Sequence, residues 1–470
     1  MNTLSIALSL SRARLKSSKN AGFLDAMMLL AFTVSSWLTI TTFAGVWMFI
    51  QRQDTVGVDL SLIYDVDPEV FEGIGAIYVG LSVLALSLLI FPLLSLGIAA
   101  TQLGANGRSH RLASIRLIGM TAGQVTLMTI FETLVLSTIG YFLGVILYFI
   151  SIPFWQKLSF QSLRVLPTEM MLPWWGFVGI FFLISVLAML ASIFGLRKVS
   201  ISPLGVAKRE AAASVKIWRV VILVIGFGVI VFATSRFSPL DASTTQYLSM
   251  AIVILAFFGG TSLAGPFFIQ TLARPLTRTG RTAQLIAARR IIDNPKTTWR
   301  NVAAVSLMAL MVSFVVFNVS FSFEGRPNKT REQQIQLLTQ QVMLEDIIQG
   351  TIIAFGIALI ISCISTLIHQ ASDVIDRKDE TQALVHLGMP LGTLTKARLI
   401  QVIAPMLLML VIATGLGISP GLLNGVRPPA HNIALMSALL GIGLLASILS
   451  VVFTAPIQNA LVKTHHRRND

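Results

Sequence analysis

Charge is what this chain has least of. Asp, Glu, Lys and Arg make up 12% of its 470 residues, against 54% hydrophobic residues. A soluble globular domain carries about 25% charged residues, so the composition excludes one and predicts an integral membrane protein. Cysteine is nearly absent as well. The single Cys363 falls inside an apolar run, which excludes a disulfide framework and a thiol metal cluster. No G-x-x-x-x-G-K-[ST] stretch occurs, so the chain has no phosphate loop with which to cradle ATP. The apolar runs lack the period of two that barrel strands need, which excludes a β-barrel. The first run, about 23–50, is too long for the core of a cleaved leader and has no A-x-A-like site, so it reads as a retained span.

What is present is a series of apolar stretches about as long as a bilayer-crossing helix requires, roughly 20 residues. They read as ten spans, near 24–50, 76–101, 123–150, 174–196, 218–235, 247–272, 301–322, 347–370, 399–419 and 432–457. The net charge of +14 then acquires a topological meaning. With both ends of the chain inside, most Lys and Arg residues fall on inner segments, as positive-inside bias requires. That reading needs no nucleic-acid partner. The outer loops are short. The first, about 51–75, is acidic, with Asp54, Asp59, Asp65, Asp67, Glu69 and Glu72. Another, about 323–345, places Ile335, Leu338 and Val342 on one helical face, either as an interfacial cap or as an extension of the eighth span. Neither is long enough for a sizeable folded domain.

One short motif occurs twice on the inner side. RLASIRLIGMTAGQ runs from Arg111 to Gln124, and ETQALVHLGMPLGT from Glu380 to Thr393. Aligning Gly119 with Gly388 also aligns Met120 with Met389 and Gly123 with Gly392. In each copy a long apolar run leads into a charged amphipathic stretch, a Gly-Met turn and a second apolar run. Two membrane helices joined by a short inner helix make a surface that can receive force. In copy one, Arg108, His110, Arg111 and Arg116 lie among Leu112, Ile115, Leu117 and Ile118. The spacing predicts a short helix with its apolar side on the membrane base and its basic side in water, stopped at Gly119. Copy two changes the sign, with Asp373, Asp376, Arg377, Lys378, Asp379 and Glu380 before Gly388, and Pro390 marks the start of the ninth span. Two spans separate the repeats, so both motifs face inward, as in a parallel repeat.

Inside the spans the polar groups are few. Glu132 and its repeat partner Gln401 read as an interhelical hydrogen-bonding position or a substrate or proton site; the Glu-to-Gln pairing favours the former. His110 and His386 have no second ligand at metal spacing, so no metal is expected. Gly140 and Gly144 make a G-x-x-x-G face in the third span, and Ala413 and Gly417 a small-x-x-x-small face in the ninth. Such faces let helix backbones approach closely, and a contact between the two repeats is expected there.

On these residues the chain resembles an FtsX-like (MacB-type) permease of bacterial ABC transporters. The likeness is carried by RLASIRLIGMTAGQVTLMTIFETLVLSTIGYFLG and its weaker second copy. It is carried further by Arg197-Lys198 with ISPLGVA (Ile201 to Ala207) and by AARRIIDNPKTTWRNVAAVSL before the seventh span. The resemblance implies an all-α membrane fold of ten helices arranged 4+2+4, two parallel repeats making a pseudo-dimer; large extracytoplasmic domains are frequent among such permeases, and this chain departs from that pattern by having none, which leaves no place to dock a periplasmic adaptor. Its segments are an inner N-terminal segment (1–22), a first repeat (23–196, coupling helix about 104–119), a linker with spans five and six (197–300), a second repeat (301–460, coupling helix about 373–388) and an inner tail (461–470).

It further implies a permease subunit in the bacterial plasma membrane with no catalytic site of its own. Two copies of a cytosolic ATPase, holding ATP and Mg, would dock on Arg108, Arg111, Arg116 and Gly119 in copy one and on Asp376, Arg377, Glu380 and Gly388 in copy two. The work would serve export or extraction of an amphiphilic substrate: a drug, an antimicrobial peptide or a lipid. The alternative is mechanotransmission that regulates a sensor kinase or a cell-wall hydrolase. An ion-coupled transporter is the third reading, and it needs more ionisable groups at membrane depth than Glu132.

Overall fold

Long apolar stretches without proline in their first turns leave the backbone only one way to satisfy its polar groups in lipid, by hydrogen bonding within a helix. The computed structural model of the chain follows that rule. It describes residues 19–71, 73–117, 121–200, 244–318, 331–376, 378–423 and 430–452, with isolated positions between 218 and 229. The helices are α1 (Lys19–Arg52), α2 (Val56–Tyr64), α3 (Ile74–Leu117), α4 (Ala122–Trp155), α5 (Trp174–Ser200), α6 (Thr244–Ala273), α7 (Thr282–Asp293), α8 (Pro295–Asn318), α9 (Arg331–Asp376), α10 (Lys378–His386), α11 (Leu391–Leu423) and α12 (Ala430–Val452). Between α4 and α5 lies a two-stranded hairpin, β1 (Ser159–Phe160) and β2 (Leu163–Arg164), antiparallel with Phe160 opposite Leu163.

Among the described residues, six helices are long and apolar enough to cross a membrane. They lie within α1, α3, α4, α5, α9 and α11. A seventh is α8 if its two parts, bent by 41°, count as one span. The ten-span reading is therefore reproduced only in part. The fifth span lies almost wholly outside the described residues. The sixth coincides with α6, which is helical but is not one of the six, and the apolar part of α12 is the shorter stretch Ile433–Leu449.

The packing repeats. In the first half α1 packs against α3 and α4, and α5 against α3 and α4. In the second half α8 packs against α9 and α11, and α12 against α9 and α11. The two halves meet where α3 lies against α9, and α6 packs against both α3 and α8.

Glycine sets the tightest of these contacts. A Cβ at Gly144 would lie 2.6 Å from Ser36 Cβ, 2.8 Å from the Thr33 carbonyl oxygen and 2.9 Å from the Trp37 nitrogen. A Cβ at Gly417 would lie 2.8 Å from Ser313 Cβ, 2.5 Å from the Leu310 carbonyl oxygen and 2.9 Å from the Phe314 nitrogen. The same three backbone positions, i, i+3 and i+4, thus receive the glycine in each half. Gly140 meets Phe32 in the same groove, at 2.5 Å from its Cβ. These small-residue faces seat the third helix of each half on the first helix of the same half. The contact between repeats expected at Gly140, Gly144 and Gly417 is corrected accordingly, and Ala413, one turn before Gly417, is buried. On the other side of α4, Phe142, Ile146 and Ile150 recur every four residues and are exposed, as a lipid-facing stripe should be.

The hairpin side of the first half is tied by polar contacts. Arg52, at the end of α1, donates from Nε and Nη2 to the two carboxylate oxygens of Glu169 at 2.9 and 2.7 Å. Its guanidinium also reaches the carbonyls of Phe160 and Arg164, one on each hairpin strand. Trp174 and Trp175 begin α5 and are exposed, the placement of an aromatic belt at the bilayer boundary.

Candidate functional site

Copy one begins in the C-terminal part of α3 and copy two lies just after α9, the two helices that join the halves. In copy one the helix does not break. α3 runs 44 residues without interruption, so the second span and the stretch holding Arg108, Arg111 and Arg116 form one rod. The separate coupling helix expected at about 104–119 is corrected to a continuation. Nothing in the run from Ala100 to Leu117 is proline, so no residue there removes a backbone donor and stops the helix. Gly119 lies outside the described residues. The chain restarts at Thr121, whose hydroxyl accepts from the Gln124 amide at 3.3 Å while the Gln124 side chain accepts from the Thr121 amide at 3.0 Å. This reciprocal pair caps α4.

Copy two is built differently. α9 ends at Asp376, Arg377 lies outside the described residues, and α10 forms a separate short helix. Its end is explicit. Gly388 takes φ +87°, its amide donates to the Val385 carbonyl at 2.9 Å, and the Met389 amide donates to the Leu384 carbonyl at 3.0 Å. This pair of bonds satisfies carbonyls the helix would otherwise leave open, and only glycine takes that φ at no steric cost. Pro390 follows directly, and α11 begins at Leu391.

Glu380 lies on α10 and pairs with Arg290 of α7 at 3.3 Å. Arg290 is buried and Glu380 about half exposed. The acidic sign of copy two is thus answered within the chain, by a helix that packs against α6 and α11. Sequence reading missed Arg290, since a basic residue beside a span reads as topology. The usable signal was the amphipathic pattern of TAQLIAARRIID, with Ala287, Ala288 and Ile291 buried around it.

Glu132 on α4 and Gln401 on α11 are both buried. One turn before Gln401, Arg398 is buried too, and donates to the Gln370 side-chain oxygen on α9 at 3.3 and 3.4 Å. Sequence reading placed Arg398 just inside the inner boundary of the ninth span; the apolar helix extends from Gly392 to Ser419 and takes it in. A buried guanidinium needs hydrogen-bonding partners of this kind.

Near the N-terminus of α3, Tyr78 donates to Asp346 of α9 at 2.6 Å. The Gln161 amide of the hairpin donates to the same carboxylate oxygen at 2.7 Å. Asp346 was not singled out in the sequence, where it stands in a polar stretch before the eighth span.

Residues 80–204 match the family model of the FtsX-like permease C-terminal region. The matched stretch runs through α3, the first motif, α4 and α5, and ends after ISPL. No curated protein matches the chain. The match makes the first half similar to FtsX-like permeases, and the apolar helices make the chain a multi-pass membrane protein.

Proposed function

We propose that this chain is the permease subunit of a plasma-membrane ABC transporter, with ten spans in a 4+2+4 order and both ends in the cytoplasm. Two copies of a separate ATPase, which would hold the ATP and Mg, dock one on each motif. The observation that carries this reading is the place of the motifs. Each stands at the inner end of a long helix, and those two helices, α3 and α9, pack against each other across the interface of the halves. In copy one the docking stretch and the apolar helix are one continuous helix with Pro92 inside its apolar part; in copy two the short helix α10 follows the end of α9. The repeated neighbour pattern of the two halves supports two inputs, one per half. In copy one, Arg108, Arg111 and Arg116 present positive charge to the ATPase. In copy two, Glu380 is held by Arg290, leaving Asp376, Arg377 and the Gly388 turn to complete the docking surface.

The work is spent on export or extraction of an amphiphilic substrate, a drug, an antimicrobial peptide or a lipid. The second reading, mechanotransmission to a sensor kinase or wall hydrolase, is favoured by one observation. α3 is bonded to α9 through Tyr78 and Asp346, and α9 to the hairpin through the Gln161 amide, which gives motion of the two helices a route to the hairpin. Replacing Arg111 and Arg116 together by Glu is expected to abolish recovery of the ATPase with the tagged permease. Full recovery of an active complex would overturn the docking assignment. Accumulation of a fluorescent amphiphile in cells lacking the protein supports export; unchanged accumulation with altered wall cleavage supports the second reading.

A further inference from the structure

The two rods that carry the motifs inside are bonded to each other outside, and the bond runs through one atom. Asp346 Oδ2 on α9 accepts from Tyr78 Oη on α3 and from the backbone amide of Gln161 at the hairpin tip. Gln349, one turn along α9, adds a bond from its side-chain nitrogen to the Ser159 carbonyl at 3.1 Å. Phe49 of α1 stacks on Tyr78 and meets Phe160 edge to face, with ring centroids 5.7 and 5.5 Å apart. Ile335, at the start of α9, packs with Val56, Leu60 and Phe71 beneath α2.

We propose that Asp346 is a releasable clasp between the halves, closed in the state described here and opened by movement of α3 against α9. The inference rests on the motor-driven reading of the motifs. Three features distinguish a clasp from a brace. First, the bonds on the two sides of the hairpin are unequal. Arg52 of α1 donates to two hairpin carbonyls and to Glu169 just beyond the hairpin, whereas α9 reaches the hairpin through Asp346 and Gln349. A hydrogen bond is charge-assisted when either partner is ionised; all four Arg52 bonds are, the Gln349 bond is not, and the chain itself joins the hairpin to α4 and α5. The hairpin therefore stays with the first half, and the parting line falls at Asp346.

Second, the contact keeps backbone strain. Gln161 and Ser162 form the two-residue turn with φ 58° and 60°. That turn matches strand twist but favours Asn and Gly over larger residues. Gln161 is held there with its amide on Asp346 and its side chain buried. Third, the open state has somewhere to go. Glu345, beside Asp346, and Ser162, beside Gln161, are exposed. Water can therefore replace both donors once the helices part, and the carboxylate is not left unsatisfied.

The experiment reads the clasp without altering it. Ser162→Cys and Glu345→Cys are placed in a Cys363→Ser background, with Asp346 and Tyr78 intact. Vesicles holding this chain and its bound ATPase are treated with a short bifunctional thiol reagent, without nucleotide, with ATP, and with ATP and vanadate. Cross-linked product is expected without nucleotide. Its yield should fall about tenfold in the nucleotide state that opens the outer face, as the clasped form becomes a minor population. Tyr78→Phe, which keeps the ring on Phe49 and removes only the hydroxyl, should lower the yield without nucleotide and raise ATP turnover. Equal yields in all states during normal ATP turnover would make Asp346 a static brace and overturn the clasp, while the coupling reading stands. If no ATPase is recovered with the intact chain, the coupling reading fails and the clasp falls with it.

Discussion

Single residues in this chain do work that their neighbours' chemistry makes specific. Gly388 is the clearest. With φ +87°, a side chain there is strained in the left-handed region. Gly388→Ala is expected to cost about 1 kcal/mol and to lower the thermal unfolding midpoint of the detergent-solubilised protein. If the end of α10 positions the docking surface, ATPase recovery falls with it. Arg52 is the second case. It is buried, and its guanidinium is shared between a carboxylate and two carbonyls. Glu169→Gln leaves that buried charge without its counter-ion, with an expected loss of about 3 kcal/mol, readable as a lower unfolding midpoint. An unchanged midpoint would mean that water reaches Arg52 and takes over the pairing.

Elements decide how motion can pass. Among the described residues α3 and α9 are the two longest helices, 44 and 46 residues, and each extends beyond its apolar stretch, α3 at its C-terminal end and α9 at both ends. Glycine makes the first and third helices of each half a rigid pair. Gly144→Val and Gly417→Val each push a branched side chain into backbone at 2.5–2.9 Å from Cβ alone. Overpacking of this kind costs about 1–3 kcal/mol. Because the receiving positions are equivalent in the two halves, the two substitutions are expected to give similar losses of unfolding midpoint. A loss confined to one of them would show that the halves do not share this joint. α7 is the asymmetric element. It answers Glu380 with Arg290; residues 1–18, which precede the first repeat, lie outside the described residues.

At the scale of the molecule, topology is the quantity on which the reading stands. If the hairpin is outside and α7 inside, Ser162→Cys in a Cys363→Ser background is labelled by a membrane-impermeant maleimide in intact cells. Thr282→Cys is labelled only after permeabilisation. The opposite pattern would put the motifs on the wrong side for a cytosolic ATPase. The packing supports one body with two similar halves joined at α3 and α9 and filled by α6. The outer residues Tyr78, Gln161 and Asp346 then close the side opposite to the motifs.

The sequence by itself determined that the chain crosses a membrane, that it is helical, and that one inner motif is present twice. Those follow from local quantities: hydropathy over about 20 residues, the Gly-Met turn at Gly119 and Gly388, and the placement of Lys and Arg. It also showed the small faces at Gly140, Gly144, Ala413 and Gly417, though not their partners. Only the tertiary structure decided that those faces seat helices within each half, that copy one continues its span without a break, that Glu380 meets Arg290, and that Asp346 joins Tyr78 to Gln161. These contacts link residues 90 to 268 positions apart. A side chain's type constrains what it can bond, but which of many distant partners it meets depends on helix register and tilt. Those are set by the packing of all the helices together.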